Sequence, residues 1–429
     1  MPDTLEIRPL TRPVDAEVTV PGSKSYTNRA LVMAALAGGR SVLRGALFSD
    51  DTRHMADALR RLGIQVAADE KEARFEVDGC AGHIPAAGAD LFVGNSGTSA
   101  RFLVSLAALG RGTFVIDGVA RMRERPIQDL LDGLRPLGVR ASARYDNGCP
   151  PVVVEADGIA GGKTRMAGGT SSQYFTSILL AAPCARRDVE IEVVGDLVSK
   201  PYLDVTLAGM RDFGAEAWRD GYERFRVRAG QGYRGRVYDV EPDASGASYF
   251  FAAAALTGGR VRVRGLSLAS AQGDVHFVDV LERMGCRVEC GQDFIEVRGP
   301  KRLKGIDVDL NATPDLAQTL AALAPFAEGP TTIRNVGSMR IKETDRIAAV
   351  VAELRRLGVQ AAELPDGLVI PPAERILPAT VQTYDDHRMA MSFALVGLKA
   401  EGIAINDPGC VSKTFPGYFE KLEELRQGG

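Results

Sequence analysis

The phrase Leu-Arg-Arg-Leu-Gly at Leu59–Gly63 decides the fold, because its pattern recurs along the whole chain. An apolar residue, two further residues, a second apolar residue and a glycine return at intervals of 71 to 76 residues. The copies lie at Leu59–Gly63, Leu134–Gly138, Met210–Gly214, Leu281–Gly285 and Leu354–Gly358. A glycine just past the last apolar residue is a common helix stop. Each phrase therefore predicts the last turn of an amphipathic helix, with a strand beginning after the glycine.

A second pattern, an alternating strand after small turn residues, runs in step with these helix ends. It occurs at residues 40–44, 113–117, 189–193, 260–264, 331–335 and 403–407. Apolar helices are predicted at residues 29–36, 100–109, 172–182, 248–256, 317–327 and 388–398, and a last amphipathic helix at 419–427. The 429 residues thus form six α/β units of about 71 residues, a fixed-period repeat that predicts two multi-unit domains.

The boundary between the two domains should divide the six units evenly. A polar, glycine-rich stretch at residues 228–238 leads into Val240–Asp243, so one crossing is expected near residues 238–243. If the first strand belongs to the second half, the other crossing falls near Pro21 and Gly22. The predicted domains are residues 22–241 and residues 1–21 plus 242–429, joined by a hinge.

Composition excludes several functional classes. There are 52 Lys and Arg residues against 55 Asp and Glu, a net charge of −3, which argues against a dedicated nucleic-acid binder. The N-terminal sequence has no apolar signal core, and no apolar run approaches the roughly 20 residues that span a bilayer. A cytoplasmic protein without a membrane partner is expected. Six scattered cysteines without a CxxC pair, and only four histidines, predict no metal site, and no cofactor is indicated.

Polar phrases interrupt the units at predicted helix starts. In Pro21–Arg29, a glycine, hydroxyl groups, Lys24 and Arg29 stand where free backbone N–H groups and the helix dipole favour an anion. A helix cap with solvated charges explains this stretch equally well. Further phrases of this kind are Gly94–Arg101, Gly169–Gln173 and Asp196–Tyr202. The three arginines of residues 121–125 suit carboxylate or phosphate oxygens, or form a solvated loop.

The second half supplies titratable groups. Asp315 precedes an apolar helix, where it is either a helix cap or a general base. Residues 340–346 hold five charges, either a salt-bridged helix start or part of a site. His387 stands between Asp386 and Arg388, and Ser412–Pro416 adds a lysine.

Lysine use points to the same phrases. The chain has 10 lysines against 42 arginines, yet Lys24, Lys200, Lys342 and Lys413 all fall inside them. A compact, titratable ammonium group can point at one oxygen or move a proton. So many cations in one place require a multiply anionic ligand.

Eight phrases, in this order and with these gaps, resemble the EPSP synthase family (5-enolpyruvylshikimate-3-phosphate synthase, 3-phosphoshikimate 1-carboxyvinyltransferase), enolpyruvyl transferases of the shikimate pathway. They are PGSKSYTNRA, GNSGTSAR, RMRERP, SSQYFTSILL, DLVSKPY, RIKETDR, YDDHRMAM and SKTFPGYF. The resemblance spans the chain. It implies two lobes, each of three βαβαββ repeats, with the active site in the cleft between them. It also implies transfer of the enolpyruvyl group of phosphoenolpyruvate to the 5-hydroxyl of shikimate 3-phosphate, with release of phosphate.

The resemblance also implies roles for individual residues. Shikimate 3-phosphate would be bound by Lys24, Ser25, Arg29, Ser171, Ser172, Ser199, Tyr202, Asp315, Ser338 and Lys342. Phosphoenolpyruvate would be bound by Lys24, Gly97, Arg125, Gln173, Arg346, Arg388 and Lys413. The catalytic set would be Asp315, Glu343, Lys24, His387 and Lys413, with Asp315 taking the hydroxyl proton and Glu343 giving and then removing the carbon-bound proton. The family implies a monomer.

Two positions depart from the family pattern. Ser338 stands where many members have an asparagine, and Phe102 where many have a proline, on the helix that positions Gly97. Because Gly97 leaves room in the phosphoenolpyruvate pocket, sensitivity to glyphosate is a hypothesis whose degree depends on Phe102.

Two alternatives remain. The sister family transfers enolpyruvate to UDP-N-acetylglucosamine, but it typically carries a cysteine in the loop that matches residues 121–125, and no cysteine lies between Cys80 and Cys149 here. A non-catalytic α/β repeat scaffold that binds an anionic partner would spread its charges over an outer face, whereas these gather at helix starts.

Overall fold

The structure, a computed structural model, describes residues 2–427, so residues 1, 428 and 429 of the predicted domains lie outside it. The chain divides into two compact units. One is the continuous unit, residues 22–241, and the other is the split unit, residues 1–21 together with 242–429. Each unit holds three small β-sheets.

The strands are short, as expected for repeated α/β units. They are β1 (Thr4–Ile7), β2 (Asp15–Val18), β3 (Ala37–Arg44), β4 (Gln65–Asp69), β5 (Arg74–Cys80), β6 (Gly88–Phe92), β7 (Arg111–Asp117), β8 (Arg140–Ala143), β9 (Val152–Asp157), β10 (Gly162–Ala167), β11 (Val189–Val194), β12 (Ala217–Asp220), β13 (Arg224–Val227), β14 (Tyr233–Arg234), β15 (Val237–Asp239), β16 (Arg260–Arg264), β17 (Arg287–Cys290), β18 (Phe294–Arg298), β19 (Asp307–Asp309), β20 (Thr331–Arg334), β21 (Ala362–Leu364), β22 (Gly367–Ile370), β23 (Ala379–Val381) and β24 (Ile403–Asn406).

The helices fall into two alternating series. The α-helices are α1 (Lys24–Leu36), α2 (Asp50–Arg61), α3 (Gly97–Ala108), α4 (Gln128–Leu134), α5 (Ser172–Ala181), α6 (Pro201–Asp212), α7 (Ala244–Thr257), α8 (Phe277–Arg283), α9 (Ala317–Leu323), α10 (Arg346–Arg356), α11 (His387–Gly397) and α12 (Tyr418–Gln427). The odd-numbered helices are almost wholly buried, including every residue of α3, α9 and α11. A helix that is apolar on all sides belongs inside a core, so these helices form the interior of each unit.

In the continuous unit, the three sheets share one plan. β6 pairs in parallel with β7 across α3, β10 pairs in parallel with β11 across α5, and antiparallel hairpins complete both sheets. In the first sheet, β14 and β15 return to pair in parallel with β3. The phrases Gly94–Arg101 and Gly169–Gln173 thus lie between the carboxyl end of a parallel strand and the start of a buried helix. This is the usual ligand-binding edge of parallel sheets.

The split unit repeats the plan with its N-terminal segment built in. β2 pairs in parallel with β16, β19 with β20 and β23 with β24. β1 adds an antiparallel edge to the sheet of β23 and β24. Strand pairing therefore places the first residues of the chain in the same unit as residues 242–429. The predicted α/β fold with six repeats, three in each unit, is confirmed.

The five repeated glycines end helices as predicted. Their φ angles are 84° at Gly63, 83° at Gly138, 84° at Gly214, 102° at Gly285 and 86° at Gly358. A residue that has a Cβ is strained at these positive φ angles, and glycine is not, which explains the glycine at each position.

Each of the seven predicted helix ranges differs from the structure by at least one residue, and three differ by four or more at one end. The helix predicted at 248–256 begins at Ala244, because Asp243 caps it and accepts a hydrogen bond from the N–H of Gly246. The helix predicted at 29–36 begins at Lys24, because Ser23 caps it and accepts a hydrogen bond from the N–H of Tyr26. The helix predicted at 317–327 ends at Leu323 and continues as a 3₁₀ turn, Ala324–Phe326, around Pro325. Proline has no N–H group to continue an α-helix. Among residues 2–427, no helix is long and apolar enough to cross a membrane.

Candidate active site

Arg346 stands at the centre of a buried charge cluster in the split unit. Its Nε and Nη2 lie 2.7 Å and 3.1 Å from the two carboxylate oxygens of Asp386. Nη2 is also 2.8 Å from Glu343 Oε2, and Nη1 is 3.1 Å from Asp315 Oδ1. Burial alone would lower the pKa of Arg346, but these three carboxylates raise it above its ordinary value. The guanidinium is therefore permanently charged and held in one position.

The carboxylate of Asp315 faces three cations. Asp315 lies in a 3₁₀ turn, Pro314–Leu316, just before α9. Besides Arg346, it accepts a hydrogen bond from Arg388 Nη2 at 2.9 Å, and Lys342 Nζ lies 3.9 Å away. The side chain is 18% exposed. The N-cap of α9 is Leu316 and not Asp315, so the helix-cap alternative is wrong.

Glu343 and Lys413 form a second acid and ammonium pair in the same cluster. Lys413 ends a 3₁₀ segment, Pro408–Lys413, and its Nζ lies 4.0 Å from Glu343 Oε1. Both side chains are largely buried. A carboxyl group and an ammonium group at this separation can stabilise or exchange a proton with a bound substrate.

Asp386 links Arg346 to the start of α11. It caps that helix, accepting a hydrogen bond from the N–H of Arg388 at 2.9 Å. His387 Nδ1 lies 3.6 Å from Asp386 Oδ1, and the imidazole is buried. Arg388 Nη1 donates to the hydroxyl of Tyr249 at 3.3 Å. The cap thus fixes the positions of both side chains that follow it.

The split unit brings most of its predicted site residues into this one cluster. They are Asp315, Lys342, Glu343, Arg346, His387, Arg388 and Lys413. Ser338 lies half-buried in the preceding 3₁₀ segment, Gly337–Ile341. The salt-bridged helix start expected for residues 340–346 is confirmed, because Asp345 caps α10 and pairs with Arg340. Arg346 of the same phrase belongs to the charge cluster, and a part in a site stays a prediction.

Arg29 is the most deeply buried cation of the continuous unit, and its recorded partners are neutral. Nε donates to Thr206 Oγ1 at 2.9 Å, Nη1 to the carbonyl of Ser25 at 2.9 Å and Nη2 to the carbonyl of Tyr202 at 3.1 Å. Burial lowers the pKa of Arg29 to about 10. Among residues 2–427 it forms no ion pair with a carboxylate. A buried charge that protein carboxylates do not compensate is costly, which favours an anionic ligand nearby.

Lys24 and Arg125 are the other predicted site cations of this unit. Lys24 Nζ lies 3.4 Å from Asp51 Oδ2, and Asp51 is buried in the first turn of α2. Arg125 is buried and donates from Nη1 to the backbone and side-chain oxygens of Asn95, at 2.9 Å and 3.1 Å. A Cβ added at Gly97 would lie 2.5 Å from Arg125 Nη2. Glycine at this position therefore lets the guanidinium lie against the helix start.

The hydroxyl residues of the continuous unit lie at helix starts. Ser171 caps α5 and accepts a hydrogen bond from the N–H of Gln173 at 3.2 Å, and Gln173 Nε2 donates to Thr98 Oγ1 at 3.2 Å. Ser172 is buried in the first turn. Ser199, just before α6, is buried at a φ of 56°. A non-glycine residue at positive φ is uncommon and costs conformational energy.

Only Arg125 of the three arginines at 121–125 is buried. Arg121 pairs with Glu124 at 2.8 Å and Arg123 with Asp117 at 2.6 Å, both at the surface. Arg123 lowers the pKa of Asp117 through its hydrogen bond. The solvated-loop alternative thus holds for two of these arginines and fails for the third.

Comparison with known proteins decides the family. The family model described as EPSP synthase (3-phosphoshikimate 1-carboxyvinyltransferase) matches residues 10–422. A 3-phosphoshikimate 1-carboxyvinyltransferase of Nostoc punctiforme is 53% identical over 423 residues, 99% of both chains. One of Trichormus variabilis is 51% identical over the same length and coverage. The chain belongs to the EPSP synthase family.

A solved structure supports the same assignment. The EPSP synthase from Acinetobacter baumannii superposes with a TM-score of 0.82 at 26% identity, covering 98% of each chain. The fold of the EPSP synthase family therefore extends over the full chain.

Phe102, which stands where many family members have a proline, contacts the predicted binding residue Arg29. Phe102 is buried in α3, and the guanidinium carbon of Arg29 lies 5.4 Å from its ring centroid. A cation over an aromatic face is attracted to the ring. Phe102 therefore supports Arg29 of α1 as well as belonging to the helix that begins at Gly97.

The sequence predictions assigned no role to four residues that contact the predicted site residues or the phrases around them. They are Asp51, Asn95, Glu353 and Asp386. Asp386 stands inside a phrase that was singled out, but it received no role. The signal that could have identified it is its place directly before a buried helix, where aspartate is a favoured N-cap. One carboxylate oxygen of such a cap accepts from the helix backbone, and the other can accept from a distant arginine.

Proposed function

We propose that this protein transfers the enolpyruvyl group of phosphoenolpyruvate to the 5-hydroxyl of shikimate 3-phosphate, releasing phosphate and forming 5-enolpyruvylshikimate 3-phosphate. The observation that carries the proposal is the match to a 3-phosphoshikimate 1-carboxyvinyltransferase at 53% identity over 99% of both chains. The protein is then a transferase of aromatic amino acid biosynthesis. We also propose that the continuous and split units are the family's two lobes, with crossings near residues 21–22 and 238–243.

Binding of shikimate 3-phosphate is proposed for hydroxyl and cationic groups together with one carboxylate, that of Asp315. The residues are Lys24, Ser25, Arg29, Ser171, Ser172, Ser199, Tyr202, Asp315, Ser338 and Lys342. The buried guanidinium of Arg29 donates its hydrogen bonds to uncharged oxygens, which supports binding of an anionic ligand beside it. A carboxylate or phosphate oxygen of the substrate would supply the missing negative charge.

Binding of phosphoenolpyruvate is proposed for cations and for helix starts. The residues are Lys24, Gly97, Arg125, Gln173, Arg346, Arg388 and Lys413. Arg125 beside Gly97 combines a guanidinium with the backbone N–H groups at the start of α3. Such donors also stabilise the negative charge that collects on the departing phosphate.

The chemistry requires three proton transfers, and we assign them to two carboxylates of the split unit. Protonation of the methylene carbon makes the adjacent carbon cationic, and the 5-hydroxyl attacks that carbon. Loss of phosphate, with removal of a proton from the new methyl group, restores the alkene. Asp315 would take the hydroxyl proton, and Glu343 would give and later remove the carbon-bound proton. Lys24, His387 and Lys413 would assist, and the 4.0 Å separation of Lys413 from Glu343 supports its part.

Phosphate release tests the proposed reaction. Purified protein given both substrates is expected to release one phosphate for each 5-enolpyruvylshikimate 3-phosphate formed, measured by a colorimetric phosphate assay and by mass spectrometry of the product. Parallel reactions hold UDP-N-acetylglucosamine or no acceptor, and these should release none. Release with UDP-N-acetylglucosamine alone would favour the sister transferase, and no release with either acceptor would favour the non-catalytic scaffold.

Glyphosate is expected to compete with phosphoenolpyruvate. We expect the concentration for half-inhibition to rise about tenfold when phosphoenolpyruvate is raised from its KM to about twenty times KM, because competing ligands follow mass action. The measurement is a dose–response series at fixed shikimate 3-phosphate. Half-inhibition that does not change with phosphoenolpyruvate would contradict a shared pocket, whatever the degree of sensitivity that Phe102 sets.

A cytoplasmic monomer without nucleic-acid or membrane partners stays part of the proposal. Its two small-molecule substrates are the expected ligands, and no cofactor is assigned a role in the steps above.

A further inference from the structure

Glu353 is a fully buried carboxylate on α10, in the part of the helix that lies beyond the charge cluster. Its Oε2 accepts hydrogen bonds from the backbone N–H of Gln382 at 3.0 Å and from Arg356 Nε at 3.0 Å. Its Oε1 accepts one from the hydroxyl of Tyr384 at 2.8 Å. Two of these three donors belong to the segment that leads into α11. A buried carboxylate with this set of partners therefore connects two distant parts of the chain.

The segment that Glu353 holds is a strained turn. The N–H of Asp386 donates to the carbonyl of Thr383 at 2.9 Å, and the two residues between them, Tyr384 and Asp385, have φ angles of 56° and 53°. Two successive residues at positive φ are typical of a type I′ turn, which favours glycine, asparagine and aspartate. A tyrosine is poorly suited to that conformation. External contacts therefore help to hold the turn, and the hydrogen bond from the Tyr384 hydroxyl to Glu353 is one of them.

The turn is attached to one face of α10 at two points. Arg346 and Glu353 are seven residues apart, which places them two turns apart on the same helix face. Arg346 binds the carboxylate of Asp386, and Glu353 binds the segment just before it. Asp386 in turn caps α11 and fixes the backbone of Arg388. The turn thus connects Glu353 with Arg346 and with the start of α11 at Arg388.

We propose that Glu353 is a positioning residue for the phosphoenolpyruvate site. By holding the turn at residues 383–386 against α10, it keeps Asp386 aligned with Arg346 and keeps Arg388 at its place at the start of α11. This inference rests on the proposed function, because Arg346 and Arg388 are the expected phosphoenolpyruvate ligands. It differs from a purely structural role, in which Glu353 would serve only the helix through its pair with Arg356.

Steady-state kinetics of Glu353→Gln test the proposal. We expect the KM for phosphoenolpyruvate to rise about tenfold, while kcat and the KM for shikimate 3-phosphate change by less than about twofold, the pattern of lost uniform binding. Glu423→Gln is the matched control, since Glu423 also pairs with an arginine three residues further along its helix but lies at the surface of α12. Its kinetic constants should equal those of the parent.

A second variant and a rescue separate positioning from general destabilisation. Tyr384→Phe removes only the hydroxyl donor and should reproduce the selective rise in KM, and it carries the test if Glu353→Gln does not fold. Adding Tyr384→Asn to Glu353→Gln should return the KM towards the parent value, because asparagine adopts positive φ more readily than tyrosine. A structural role alone predicts lower thermal stability without a selective change in KM and without this rescue.

Amide hydrogen exchange of residues 383–390 provides a readout that does not depend on turnover. Faster exchange there in Glu353→Gln, with unchanged exchange in Glu423→Gln, supports the proposal. An unchanged KM for phosphoenolpyruvate with unchanged exchange in a folded variant overturns it. If the parent protein itself releases no phosphate, the proposed reaction fails, and the exchange result still decides whether Glu353 holds the turn.

Discussion

Replacing Asp315 by Asn, or Glu343 by Gln, is expected to lower kcat at least a hundredfold, the range of general acid–base effects. Both substitutions keep the size of the side chain and remove its charge and basicity. The Asp315 carboxylate sits among Arg346, Arg388 and Lys342, so the new amide would also turn one donor towards cations. The measurement is steady-state phosphate release with both substrates saturating, so that weaker binding does not mimic slower turnover.

The control for this pair is Asp307→Asn. Asp307 also meets an arginine, with two hydrogen bonds from Arg334 at 2.8 Å and 2.6 Å, but both side chains are exposed. That hydrogen bond lowers the pKa of Asp307, yet an exposed pair contributes little to stability. The control should keep the parent kcat and melting temperature. Near-normal turnover in folded Asp315→Asn or Glu343→Gln would remove that residue from the mechanism.

The repeated fold was predictable because its signals are local. A glycine that ends a helix and an alternating strand each occupy a few residues, and their regular spacing along the chain revealed the repeat. The φ angles of 84° at Gly63 and 86° at Gly358 show the same physical cause at distant positions. Helix bounds were less exact where one residue decides them, as at Ser23, whose cap moves the start of α1 to Lys24.

The sequence was sufficient to predict which segments supply the candidate site residues, but only partly which of those residues contact each other. Cations and hydroxyl groups at helix starts could be read from the sequence, because a helix start needs such residues for local reasons. Contacts between distant segments leave no such local signal. Asp386 meets Arg346 across 40 residues of chain, and Glu353 meets Tyr384 across 31. The sequence analysis also expected the ligand to supply the negative charge, whereas in the split unit the protein's own carboxylates surround Arg346.

Replacing Arg346 by Met is expected to destabilise the split unit by roughly 3–5 kcal/mol, the usual cost of removing one partner from a buried ion pair. Methionine fills similar space but leaves Asp315, Glu343 and Asp386 without their shared cation. For a domain of about 200 residues, this corresponds to a fall in melting temperature of roughly 6–20 °C. The measurement is differential scanning calorimetry of the parent and the variant. Arg334→Met, which breaks the exposed pair with Asp307, should cost less than about 1 kcal/mol.

The pH dependence distinguishes uncompensated charge from lost packing. A buried carboxylate that loses its counter-charge favours its protonated form in the folded protein more than in the unfolded chain. The folded variant then binds more protons than the unfolded chain, so its stability rises as the pH falls. The deficit in melting temperature relative to the parent should therefore be smaller at pH 5.5 than at pH 8, and Asp386→Asn added to Arg346→Met should recover part of it. A deficit independent of pH, with no recovery, would mean that Arg346 stabilises the unit through packing alone.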